Sequence, residues 1–154
     1  MEKRMFGKTG LEITRLGFGS ARIGEEGVEE AQIETVLNTL LDIGINFVDT
    51  AACYTRSEEL IGKFISGRRD EYVLVTKCGH VTGGAEGEAW SREIIGESID
   101  RSLRRLKTDC VDLMQLHSCS TEVLRAGDAV DEVMRAKAAG KTRFVGYSGD
   151  GENA

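Results

Sequence analysis

The spacing of apolar residues changes period several times along the chain. Ile33, Val36, Leu37, Leu40 and Leu41 recur three and four residues apart, which predicts a helix that Gly44 ends. Residues 45–49, Ile-Asn-Phe-Val-Asp, then read as a strand. Ser57 stands before Glu58 and Glu59, as an N-cap and the positive end of a helix dipole require, and predicts a helix over 57–66. Residues 72–77 are rich in β-branched side chains and predict a strand. Ser91 caps a helix that carries Ile95, Ile99, Leu103 and Leu106 on one face. Residues 111–117 predict a strand, 123–139 a helix closed by Gly140, and 143–147 a final strand. A glycine-punctuated strand over 15–19 precedes them all. This βαβαβαβαβ order predicts an α/β fold, a parallel sheet with helices packed outside it. No linker or change of composition interrupts it, so the expectation is one domain over residues 1–154.

Three of the strands share a feature. Residues two apart on a strand point to the same face. Asp49 therefore shares a face with Ile45 and Phe47, Lys77 with Val73 and Val75, and His117 with Val111, Leu113 and Gln115. Each strand runs apolar and finishes at its C-terminal end with an ionisable residue. Ligand sites of α/β folds lie at that end of the sheet. One such residue is weak evidence; three in succession point to a site.

Composition narrows the setting. The 154 residues carry a net charge of -6, which argues against a nucleic-acid or anionic-membrane surface. No apolar run approaches a membrane span, and the N-terminus has no apolar signal region, so the expected location is cytoplasmic. Cys53, Cys78, Cys110 and Cys119 are then expected as reduced thiols.

The segments MFGKTGLEITRLGFGS, VDTAACYTRSEELIG, VLVTKCG, DLMQLHS and GKTRFVGYSG stand in this order. Together they resemble the aldo-keto reductase family over nearly the whole chain. The resemblance implies a (β/α) TIM barrel with an N-terminal hairpin. It also implies NADPH-dependent reduction of an aldehyde or ketone, a small-molecule carbonyl substrate, to an alcohol. The catalytic tetrad would be Asp49, Tyr54, Lys77 and His117. Tyr54 would protonate the carbonyl oxygen. A free phenol holds its proton at neutral pH, and a nearby cation such as Lys77 favours phenolate as the proton leaves. Asp49 would hold Lys77, and His117 would orient the carbonyl. Ser148 corresponds to the position that touches the nicotinamide carboxamide, with Asp49 beside it. Two departures stand out: Gly149-Asp150 where the family usually has asparagine, and Ser118-Cys119-Ser120 where a proline is common. Ser20 and Arg22 are candidates for the cofactor phosphates, with a solvated loop as the alternative.

A full barrel needs about 250 residues. The chain offers about five strands and four helices, so the expectation is a partial TIM barrel, the N-terminal half, without most of the cofactor cradle. Its alternative role is a non-catalytic half-barrel or assembly module that keeps the tetrad. Open sheet edges and an apolar inner face of Phe47, Val75 and Leu113 would favour self-association. Two bland readings compete. Asp49 and Lys77 could form a structural ion pair only, and the basic run Arg101, Arg104, Arg105 and Lys107 reads as solvent-facing. A rival chemistry is zinc held by thiols and imidazoles among Cys53, Cys78, His80, His117 and Cys119. Cys-x-His is shorter than common ligand spacing, and His117 already belongs to the tetrad, so no metal is expected.

Overall fold

The computed structural model describes residues 1–149. An antiparallel hairpin of β1 (Lys3–Met5) and β2 (Glu12–Thr14) comes first. Then follow β3 (Phe18–Gly19), α1 (Glu30–Asp42), β4 (Phe47–Asp49), α2 (Ser57–Phe64) and β5 (Val73–Cys78). The chain continues through α3 (Arg92–Leu106), β6 (Val111–His117), α4 (Thr121–Ala126), α5 (Asp128–Ala138) and β7 (Thr142–Ser148). The five strands β3 to β7 form one parallel sheet in sequence order. Among the described residues no helix is long and apolar enough to cross a membrane.

The chain breakers act as the sequence predicts at two helix ends. Gly44 takes φ +83° and donates to the Leu41 carbonyl, while the Ile45 amide donates to that of Leu40. Gly140 closes α5 in the same way, through Lys137 and Ala136. A left-handed residue is needed there, and glycine adopts it without steric cost. Ser91 caps α3 by accepting from the Ile94 amide.

Elsewhere tertiary contacts overrule the local signals. The strand expected over 15–19 shrinks to two residues. The Thr14 amide donates to Asn46 Oδ1 and the Asn46 amide to Thr14 Oγ1, so side chains take the place of a ladder there. Thr14 Oγ1 also donates to the Leu16 carbonyl, which bends the chain. Ser57 does not cap α2: it is fully buried inside the first turn, with its hydroxyl bonded to Ser20 and Thr50. The helix expected over 123–139 is two helices, broken at Gly127 with φ +89° and with the first capped by Ser120.

Two layers of apolar side chains cover the sheet. Val48, Leu74, Met114 and Leu116 pack outward against Leu37, Ile61, Ile95, Ile99 and Val133 of the helices. Val73, Val75 and Leu113 face inward with Phe47 and Phe144. Ile45 and Val111, expected on the inner face, belong to the outer layer. The inner face is less open than expected. Leu11 and Phe6, on the turn between β1 and β2, cover it, leaving Val75 1% and Leu113 8% exposed. Phe6 meets Phe47 edge to face at 5.4 Å.

Candidate active site

Strand register brings the ionisable residues together. Asp49 pairs with Val75 at the end of β4, Lys77 with Gln115, and His117 with Ser148. All therefore stand along one rim. Beyond β4 the chain stays bonded to β5, since the Thr50 amide donates to the Val75 carbonyl and the Ala52 amide to that of Lys77. The Tyr54 amide then turns back onto Ala51, and Ser57 onto Tyr54. This stitching sets Tyr54 above Lys77. Behind it runs a buried hydroxyl chain. Thr50 meets Ser57 at 2.9 Å, Ser57 donates to Ser20 at 2.7 Å, and Ser20 donates to the Asp49 carbonyl at 2.8 Å.

Lys77 is 5% exposed and fully engaged. Its ammonium donates to both Asp49 oxygens, at 2.8 and 2.7 Å, and to the Thr50 carbonyl at 2.9 Å. Such partners offset the cost of taking an ammonium out of water. The same Nζ lies 5.0 Å from the Tyr54 ring centroid. The Tyr54 ring stands perpendicular to that of His117, with centroids 5.9 Å apart. Asp49, Tyr54, Lys77 and His117 thus form one contiguous group, with Tyr54 and His117 half-buried at its mouth.

The other candidates are placed differently. Ser148 is half-buried at the end of β7, next to His117, and its carbonyl accepts from the Ser118 amide. Ser20 is 0% exposed and its hydroxyl is spent inside the fold, on the Asp49 carbonyl. Arg22 is exposed on the following loop. Asp150 lies outside the described residues. The basic run keeps its solvent-facing reading at Arg104 and Lys107, which are exposed, and departs from it at the other two positions. Arg101 is 8% exposed and bonded to Thr82, and Arg105 reaches Glu58 at 3.6 Å and Glu59 at 3.3 Å.

Sequence reasoning overlooked one residue of this rim, Trp90. Its indole donates to the His117 carbonyl at 3.0 Å, and its amide donates to the Gly79 carbonyl at 2.7 Å. The one available signal was a lone tryptophan in a glycine-rich loop. Trp90 also packs on His80, whose ring lies 4.9 Å from that of His117. Cys53 Sγ is 3.3 Å from His117 Nδ1, and burial pushes the Cys53 thiol up. Cys78 faces the outer core, where burial pushes its thiol up to about 12.

Residues 15–152 match the model of the Aldo/keto reductase family. The chain belongs to this family. An uncharacterized oxidoreductase of Bacillus subtilis, YqkF, is 37% identical over 157 residues, covering 96% of this chain and 49% of its own length. L-galactose dehydrogenase of Arabidopsis thaliana is 34% identical over 158 residues, covering 97% of this chain and 49% of its own. Among solved structures, the holo form of aldo-keto reductase AKR11C1 from Bacillus halodurans superposes with a TM-score of 0.85 at 33% identity. The superposition covers 97% of this chain and 50% of that one. The chain spans about half the length of the curated relatives it matches.

Proposed function

We propose that this chain supplies the proton-transfer side of an NADPH-dependent carbonyl reductase site, carried by a single domain in the cytoplasm. The observation that carries the reading is the bidentate Asp49–Lys77 pair set 5.0 Å beneath the Tyr54 ring. A carbonyl oxygen held between Tyr54 and His117 takes the phenolic proton as its carbon is reduced. Lys77 stabilises the phenolate left behind, and Asp49 keeps that ammonium in place. His117 orients the carbonyl. NADPH, when bound, supplies the hydride. The Ser148 hydroxyl, half-buried beside His117, suits the carboxamide end of that cofactor, with Asp49 along the same rim.

The test is NADPH consumption with a panel of aldehydes, together with cofactor binding followed by fluorescence. Tyr54→Phe is expected to lower kcat by roughly 10²–10⁴-fold, the usual worth of a general acid, with NADPH affinity little changed. Unchanged kcat in Tyr54→Phe would overturn the assignment. A second reading rests on the half-length match to the relatives: a module that keeps the tetrad without binding cofactor. Absence of NADPH binding by the 154-residue chain favours that reading.

A further inference from the structure

We propose that Cys53, His80 and His117 form a binding site for a divalent transition-metal ion of the zinc type. One ligand atom from each of these three residues lies within 4.8 Å of the other two. In a tetrahedral zinc site, with bonds of about 2.0–2.3 Å, ligand atoms stand about 3.3–3.6 Å apart. Cys53 Sγ and His117 Nδ1 are already 3.3 Å apart. The third ligand comes from His80, a half-buried side chain at the rim, whose ligand atom lies within 4.8 Å of the other two.

His80 is positioned for this by more than chance proximity. It follows Gly79, whose φ of +115° turns the chain back over the rim. A Cβ on Gly79 would lie 2.4 Å from the Trp90 ring, so the tryptophan packs directly across that turn. Trp90 is tied to the ends of both β5 and β6 through Gly79 and His117. The His80 ring sits against the rings of Trp90 and His117, at 5.3 and 4.9 Å between centroids.

The chemistry of the donors selects the ion. One sulfur and two imidazole nitrogens suit zinc, cobalt, nickel or copper, and they disfavour magnesium and calcium. On binding, the Cys53 proton leaves to solvent and sulfur bonds to the metal. The nearby Lys77 charge is offset by Asp49, which limits its repulsion of the ion. Three protein ligands leave a fourth position for water or an anion. Cys78, the last residue of β5, and Cys119, in the loop after β6, are 1% and 2% exposed in the outer core and take no part. Binding does not depend on turnover.

The experiment is titration of the protein, prepared without a histidine tag, with cobalt(II). A 1:1 complex is expected, with a thiolate-to-cobalt charge-transfer band and the intense visible bands of four-coordinate cobalt, both bleached by added zinc. Cys53→Ser is expected to abolish the charge-transfer band. His80→Gln should weaken affinity by at least about tenfold. Cys110→Ser removes a thiol just before β6, at the opposite end of the sheet, and should change neither. Circular dichroism verifies that each variant is folded. The inference is overturned if the wild type shows no charge-transfer band, if folded Cys53→Ser keeps it, or if folded Cys110→Ser loses it.

Discussion

Glu58 is a buried carboxylate outside the Asp49, Tyr54, Lys77 and His117 group. It is 2% exposed beneath α2, where Oε1 accepts from the Thr76 hydroxyl at 2.7 Å. Oε2 lies 3.6 Å from Arg105, an ion pair too long to be a hydrogen bond. Burial outweighs these partners and raises the Glu58 carboxyl above the ordinary carboxylate range. Over that interval the folded chain keeps a proton that the unfolded chain has lost. The contribution to stability is therefore complete below the ordinary value and is lost as pH rises through the raised one. Glu58→Gln keeps an acceptor for Thr76 and cannot titrate. From about pH 4, near the ordinary carboxylate value, to neutrality, wild-type stability should fall relative to the variant. Urea midpoints across that range measure it, and parallel curves for the two proteins would refute it. The sequence shows Glu58 only as a first-turn acid beside Glu59. Its burial follows from the crossing of α2 over β5 and α3, which no local pattern reports.

Gly62 decides that crossing at the scale of elements. A Cβ there would meet the Arg105 carbonyl oxygen at 2.0 Å and the Leu106 Cα at 2.9 Å. Two effects of opposite sign compete in Gly62→Ala. Helix propensity favours alanine by about 1 kcal/mol. Overpacking costs about 1–3 kcal/mol or more, and here the obstacle is backbone, which cannot rotate aside. Packing should win, and the thermal midpoint should fall by several degrees, at about 2–4 °C per kcal/mol for a chain of this size. A midpoint that rises would show that α2 and α3 separate at little cost. The same contest explains where element boundaries resisted sequence reading. Gly44 and Gly140 end helices as expected because their backbone bonds close locally. Ser57 fails as a cap because Ser20 and Thr50, distant in sequence, claim its hydroxyl.

At the scale of the molecule, the sheet has two edges among the described residues. β3 offers two residues and β7 seven. The longer edge, β7, carries Phe144 and Val145 half-buried and Tyr147 39% exposed. An unpaired strand of that length is a template for pairing with another chain. We expect the 154-residue chain to self-associate through it, with a sedimentation coefficient that rises with concentration in the micromolar range. A compact monomer throughout that range would exclude it. The inner face adds less to this tendency than the sequence suggests, because Leu11 and Phe6 cover Val75 and Leu113.

By itself the sequence determined the alternation of strands and helices, the strand ends that carry Asp49, Lys77 and His117, and the family. These are legible because periodicity, helix-ending glycines and motif order are local properties of a chain. Only the tertiary structure decided that Ser20 is a buried latch, that Arg101 and Arg105 turn inward, and that Trp90 spans β5 and β6. It alone separated Cys53, His80 and His117 from Cys78 and Cys119. Whether a side chain faces the rim or the core depends on register between strands and on packing of helices far apart in sequence, and neither is written in local spacing.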